Sequence, residues 1–267
     1  ITKLKRKIGV SVAGLADALL IAGHAYDSES GRKFARNLVA LINYHAKIAS
    51  VELAIERGPC EAMFLAEGNE YYAGYITYRY AGQATDTVSR EQWEELDEYI
   101  RTTGNLRHIH HTALPPAGRA SMVLGVNHSI EPLFSPSFLS VDTIPVLLDV
   151  LASGIAVDGV EQDVQELYNR AIAEGSFQNL PISNDARRLL KTAVEIAPED
   201  HIRMTAALAG TDGVSDESAS KTVNMPNDVT AEDIMHMYVL AHQLGTKNIS
   251  VFRDGCLSEQ PRQLSKK

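Results

Sequence analysis

Between Ser89 and Val126 a charged helical stretch, SREQWEELDEYIRTTG, gives way to a short apolar pattern, HIHHTAL, then to a small-residue turn, PPAGRAS, and a further apolar piece, MVLGV. A chain that switches from a 3.6-residue to a 2-residue apolar period across one turn buries both elements by layering helix against strand. The switch recurs along the chain. Asp27 or Ser28 stands where an N-cap is expected, and apolar residues follow from Phe34 through Leu38, Leu41, Ile42 and Ile48 to Leu53, with a stop at Gly58-Pro59. Ser89 with Gln92 makes a capping box whose helix ends at Gly104. HIHHTAL reads as a strand, and MVLGV as another apolar piece after the turn. Residues 66–90 are polar and tyrosine-rich, expected as loop or short edge strands. Residues 143–200 hold three helical patterns, broken near Gly154–Gly159 and at NLPISND. Thr230 with Asp233 opens a helix that runs through Leu244 to Gly245, and NISVFRDG is a final strand. Helices alternating with short strands predict an α/β fold. Residues 1–256 are expected to form the folded portion, with 257–267 a polar, fraying tail.

Bulk properties narrow the function classes. The 267 residues are 45% hydrophobic and 22% charged, so a chain of this length can bury about 70–75% of its unfolded surface. A net charge of -9 disfavours nonspecific binding to nucleic acid or an anionic membrane. Apolar runs fall short of the roughly 18 residues of a membrane span. Lys3, Lys5, Arg6 and Lys7 precede an apolar run that Asp17 interrupts, so no secretory leader is expected. Cys60 and Cys256 are too few for a disulfide framework, which suits a reducing cytoplasm. Because the first residue is Ile1 rather than Met, a piece of a longer protein or a processed chain is expected.

The motifs carry limited chemistry when taken singly. On a strand, His108 and His110 share a face and His111 takes the other, but no third ligand stands at metal-site spacing. Polar strand residues are the better account. In the turn, small side chains at Ala117, Gly118 and Ala120 let backbone N–H groups face an anion, with Arg119 and Ser121 as possible further contacts. Gly9 and Gly14 are followed by no Lys-Ser/Thr and lack the Gly-x-Gly-x-x-Gly order, so helix packing explains them better than nucleotide binding. Asp17, Glu131 and Asp254 show no carboxylate pairing.

The ordered set of segments is more specific. RKIGVSVAGLADALLIAG with YDSES, then ASVELAIERGPCEAMF, LPPAGRASMVLGVNHSIEPLF, EIAPEDHIRMTAALAG and SASKTVNMPNDVTAEDIMHMYVLAHQLGTKNISVFRDG resemble successive signatures of the ribonucleotide reductase catalytic subunit across about residues 6 to 256. SKTVNMPNDVT with NISVFRDG is similar to the adenosylcobalamin-dependent class II form, since Phe252 stands in the terminal strand and no paired tyrosine does. The resemblance implies the C-terminal half of a ten-stranded α/β barrel. It also implies that Pro116, Ala117, Gly118, Arg119, Ala120 and Ser121 correspond to the substrate's phosphate-binding loop, with Ala117 and Arg119 replacing two threonines. Arg107-His108 stands at the family's Arg-Asn pair, and Cys60 at its Gly-Pro-Cys position, where a structural thiol is expected.

The family's Asn-x-Cys-x-Glu motif, which carries the thiyl cysteine, does not occur in this chain, and neither does the reducing cysteine pair. No catalytic residue is therefore expected here. The expected partners are an N-terminal reductase chain supplying those cysteines, a ribonucleotide substrate and a thioredoxin-like reductant, with adenosylcobalamin in the assembled enzyme. Half a barrel exposes sheet edges and apolar surface, which also points to a heteromeric partner or self-association. The alternative is a noncatalytic, nucleotide-binding or regulatory relative.

Overall fold

The computed structural model describes residues 2–64, 75–103, 105–138, 143–154 and 163–256. Its elements in chain order are α1 (Thr2–Lys5), α2 (Leu15–Ile21), α3 (Glu29–Arg57), α4 (Tyr75–Tyr80), α5 (Arg90–Thr103), α6 (Gly118–Leu124), α7 (Thr143–Gly154), α8 (Val164–Glu174), α9 (Asn184–Leu189), α10 (Pro198–Ala209), β1 (Thr222–Met225), α11 (Ala231–Gln243) and β2 (Ser250–Arg253). Side-chain caps set several starts. Ser28 Oγ accepts the Gly31 N–H at 2.9 Å, and Ser89 and Gln92 exchange bonds of 3.3 and 2.8 Å. Thr230 and Asp233 complete a capping box at α11. The expected stop at Gly104, most of the break at 154–159 and the tail 257–267 lie outside the described residues.

The chain divides into two compact units. The first comprises the residues through Ser11, Ala35–Pro115 and Ala206–Ala219. Its core holds Trp93 stacked on Tyr80, with ring centroids 4.8 Å apart, and Tyr44 edge-on to Trp93. Helix α3 is long and apolar enough to cross a membrane by length and composition alone. Its stretch in this unit nevertheless buries Asn43, Lys47 and Ser50, as a core helix with internal polar partners does. Lys47 Nζ lies 2.7 Å from Asp216 Oδ1 and 3.1 Å from His111 Nδ1. Asp216 also accepts from the Tyr80 hydroxyl and from the His111 N–H at 2.7 Å.

The second unit comprises Val12–Phe34, Pro116–Thr205 and the residues from Ser220 onward. A core of Leu147, Leu151, Leu167, Phe177, Leu180 and Leu190, among others, joins α7, α8 and α9. Strands β1 and β2 pair in parallel, Thr222 opposite Ser250 through Met225 opposite Arg253. Helix α11 is the crossover that parallel pairing demands. It buries Met237 and Ala241 against Val223, Met225 and Ile202.

Residues 75–80, in the stretch expected as loop or short edge strands, form the helix α4 instead, and two further stretches are not regular strands. MVLGV is not a strand: Met122, Val123 and Leu124 form the end of α6, exposed at 74%, 88% and 63%. The preceding small residues admit a helical turn, and among the described residues no strand pairs with this backbone. HIHHTAL runs without a regular strand and meets its neighbours at single parallel bridges, Val10 with Thr112 and Leu114 with Ala219. Among the described residues, regular pairing is confined to β1 and β2.

The Lys47 cluster generates a pH prediction. Burial and the Lys47 ammonium push the His111 imidazole down to about 4. The unfolded chain takes up a proton there near pH 6.5, before the fold does. This contribution is therefore complete above about pH 6.5 and lost as pH falls toward 4, amounting to about 3 kcal/mol at most. Urea denaturation from pH 7 to 4.5 should show a steeper stability loss for the wild type than for His111→Gln. Parallel curves would exclude His111 as the source.

Candidate functional site

Within the second unit, an open pocket of about 780 Å³ is built from the turn before α6, the segment 125–137 and the strand pair. That volume suits a small organic ligand. Pro116, Ala117, Gly118 and Ser121 line it from the turn. Ser220, Thr222, Asn224 and Phe252 line it from the strand pair, and Phe134, Pro132 and Val126 add apolar surface.

The turn is set by backbone chemistry. Ala117 stands at the N-cap of α6 without a side-chain cap, so the first N–H groups of the helix lack capping partners. Ser121 is fully buried and its Oγ has no partner among the described residues, although the residue lines the pocket. A buried hydroxyl left unsatisfied costs roughly 1–3 kcal/mol, which a ligand acceptor would recover. Arg119 and Ala120 are exposed and lie outside the pocket lining. Four of the six expected loop residues thus meet at one cavity.

Asp17 on α2 fixes the next wall. Its carboxylate accepts the Asn127 N–H at 2.6 Å, and also bonds the Asn127 amide and the Thr143 hydroxyl. The Gly14 N–H donates to the Asn127 carbonyl at 2.8 Å. Gly14 holds φ +76°, and a Cβ there would meet Asp17 Oδ2 at 3.0 Å and Val126 Cβ at 3.1 Å. Glycine is therefore required by both conformation and space.

Glu131 forms the remaining polar wall. Its Oε2 lies 2.9 Å from Lys221 Nζ, and its Oε1 accepts the Thr222 N–H at 2.8 Å. The Lys221 side chain is wholly buried, whereas that of Glu131 is 27% exposed. Lys221 Nζ also lies 2.7 Å from His201 Nδ1, and His201 Nε2 lies 2.9 Å from the Ala193 carbonyl. Since only a donor satisfies that carbonyl, Nε2 carries the hydrogen and Nδ1 accepts from the ammonium. Burial and the Lys221 charge hold the His201 imidazole well below its usual value, so it stays neutral. Tyr26 places its ring 5.5 Å from Lys221 Nζ and donates its hydroxyl to the Ile130 carbonyl at 2.5 Å.

The other candidates are not among the residues that line this pocket. His108 bonds the Arg6 carbonyl at 2.6 Å, His110 bonds Glu217 at 2.5 Å, and His111 belongs to the Lys47 cluster. Among the described residues no group of three or more His, Cys, Asp or Glu is arranged to hold a metal. Cys60 is buried, with its thiol pushed up by burial, and Cys256 is exposed. The sequence reading left Asp17 and Glu131 unpaired because their partners lie 110 and 90 residues away. It found no role for Lys221, His201 or Tyr26. A single buried lysine leaves no periodic signal.

Comparison with known proteins agrees with this architecture. The family model described as "Ribonucleotide reductase, barrel domain" matches residues 2–252, so the chain belongs to the ribonucleotide reductase barrel-domain family. A vitamin B12-dependent ribonucleoside-diphosphate reductase of Thermoplasma acidophilum is 30% identical over 95% of this chain and 29% of its own length. A vitamin B12-dependent ribonucleotide reductase of Streptantibioticus cattleyicolor is 26% identical, covering all of this chain and 47% of the relative. The ribonucleoside-diphosphate reductase large subunit of Vaccinia virus is 29% identical over 92% of this chain and 31% of its own length. The chain therefore spans less than half the length of these relatives. In structure, the alpha subunit of the Actinobacillus ureae class Id ribonucleotide reductase superposes with a TM-score of 0.67 at 20% identity, over 95% of this chain and 40% of that one.

The Asp17 clamp is directly testable. Asp17→Ala strands the Asn127 N–H and removes the acceptor that Asp17 offers the Thr143 hydroxyl, and should cost roughly 1–3 kcal/mol in chemical denaturation. A loss under about 0.5 kcal/mol, the range of an ordinary surface change, would show that the clamp is dispensable.

Proposed function

We propose that this chain is the C-terminal portion of a class II ribonucleotide reductase, contributing barrel strands and the substrate's phosphate-binding loop to an enzyme that reduces ribonucleotides to deoxyribonucleotides. The observation that carries this reading is the unpartnered, buried Ser121 hydroxyl on a pocket wall, in the first turn of α6, whose N–H groups have no side-chain cap. Phosphate oxygens would accept from that hydroxyl and from the free N–H groups. Arg119, exposed outside the pocket, would add attraction at longer range, screened by salt.

The thiyl cysteine and the reducing cysteines would come from an N-terminal reductase chain that completes the ten-stranded barrel, and the reducing equivalents from a thioredoxin-like protein. Neither thiol of this chain substitutes for them, since Cys60 is buried and Cys256 unpaired. The assignment to class II rests on relatives named vitamin B12-dependent and on SKTVNMPNDVT with NISVFRDG. The lining of the pocket suits a nucleotide, with small residues and backbone at the turn, polar groups at the strand pair and apolar surface from Phe134, Pro132 and Val126. The cofactor belongs to the assembled enzyme in this reading, and the compartment would be the cytoplasm.

A second reading, a noncatalytic nucleotide-binding relative, is favoured by the loop itself: Ala117 and Arg119 supply no hydroxyl, and Arg119 stands outside the cavity. Combining the chain with an N-terminal portion that carries Asn-x-Cys-x-Glu, plus adenosylcobalamin and a dithiol, separates the two. Deoxyribonucleotide formation supports the reductase, whereas nucleotide binding without turnover supports the relative. In either case Ser121→Ala should weaken nucleotide affinity by roughly 3- to 10-fold. Arg119→Ala should weaken it less, and only at low salt. An unchanged affinity for Ser121→Ala would remove the loop from the site.

A further inference from the structure

We propose that Glu131 is the hydrogen-bond acceptor for a donor group on the ligand of this pocket, and that Lys221 is the residue that positions it. The inference rests on the reading of the pocket as a ribonucleotide site and assigns the end of the ligand opposite its phosphates.

Among the described residues, Glu131 is the one carboxylate lining the cavity. Its two oxygens are tethered from behind, one by the Lys221 ammonium and the other by the Thr222 N–H. Each carboxylate oxygen has a second lone pair, and the side chain retains 27% exposure through which a ligand can reach it. A carboxylate repels phosphate and attracts O–H and N–H donors. The anionic end of a nucleotide therefore belongs at Pro116–Ser121 and a donor-bearing end at Glu131.

The surroundings of Lys221 are costly if they serve stability alone. A fully buried ammonium loses several kcal/mol of hydration, and an apolar replacement of both partners is often as stable as the pair or more so. Here the ammonium is held on three sides, by Glu131, by His201 Nδ1 and by the Thr222 carbonyl at 3.2 Å. His201 is in turn anchored to the carbonyl of Ala193, itself a pocket residue. This network leaves Glu131 one orientation and keeps it paired with a positive charge, which a passive wall residue does not require.

The donor could be a ribose hydroxyl or an amino group of the base, and single-donor deletions distinguish the two. Affinities of the assembled protein are measured by calorimetry for a ribonucleoside diphosphate, its 2′-deoxy and 3′-deoxy forms, a form lacking the exocyclic amino group, and inorganic pyrophosphate. In the wild type one of these deletions should cost about 10-fold or more, as expected for a hydrogen bond to a charged group. Because Glu131→Gln leaves a buried ammonium unpaired, the informative protein is Glu131→Gln/Lys221→Met, with its fold checked by thermal unfolding. There the same deletion should cost nothing while pyrophosphate affinity stays as in the wild type. Lys221→Met alone should reduce the discrimination in the same way, since Glu131 loses its anchor.

A folded double variant that still discriminates would overturn the proposal. So would a wild type indifferent to every deletion, or a double variant whose pyrophosphate affinity falls in parallel, which would mark a structural role. A wild type that binds no diphosphate at all would instead sink the ribonucleotide reading on which the inference stands.

Discussion

The second unit depends on a buried ammonium. Lys221 sits where water cannot reach it, and Glu131, His201 and the Thr222 backbone replace its hydration. That substitution works only if the segment carrying Glu131, the helix carrying His201 and the start of β1 keep their places together. Breaking one contact would leave a charge stranded in low dielectric, which costs several kcal/mol. The pocket wall is thus tied to the strand pair by electrostatics, and α11 secures the same strands by apolar packing.

The first unit repeats the arrangement with a different outcome. Lys47, like Lys221, is buried between a carboxylate and the Nδ1 of a neutral imidazole. Burial pushes the Asp216 carboxyl up, but the Lys47 ammonium and the His111 contact outweigh it and hold the group well below the usual carboxylate range. Asp216 is only 3% exposed and satisfied from within by Lys47, Tyr80 and backbone N–H groups. Such a carboxylate has nothing to offer a ligand, so this cluster is internal scaffolding. Glu131 has the same kind of partner but opens onto a cavity. The difference between the two carboxylates is access rather than chemistry.

Much of the helical architecture was legible in local signals. Ser28, Ser89 with Gln92, and Thr230 with Asp233 mark helix starts because capping is a contact between residues three apart. The final strand was legible from NISVFRDG, whereas β1 was not recognised, because TVNM is half polar and is a strand only through its pairing with β2. MVLGV, apolar in sequence, ends α6 on the surface, with Val123 88% exposed, because apolar character alone does not specify burial. The site divides along the same line. The turn Pro116–Ser121 stands out in sequence because its small residues are contiguous, and four of them line the pocket, whereas the Lys221 network joins residues 20 to 195 positions apart along the chain and has no local signature.

The altered turn and the tethered carboxylate bear on each other. Where Ala117 and Arg119 offer no hydroxyl into the pocket, the turn is left with backbone N–H groups and Ser121 to hold an anion. In the proposed site those contacts would fix where a phosphate sits but do little to distinguish one organic group from another. Under the proposal discrimination would then fall to Glu131, whose carboxylate is already oriented by Lys221 and the Thr222 N–H before any ligand arrives. A preoriented carboxylate loses little side-chain freedom on binding, so more of its hydrogen-bond energy is available for selectivity. On this view the loss of hydroxyls at the turn is tolerable because the fixed end of the site is Glu131, and Glu131 is fixed because Lys221 cannot be moved without exposing an unpaired charge to the core.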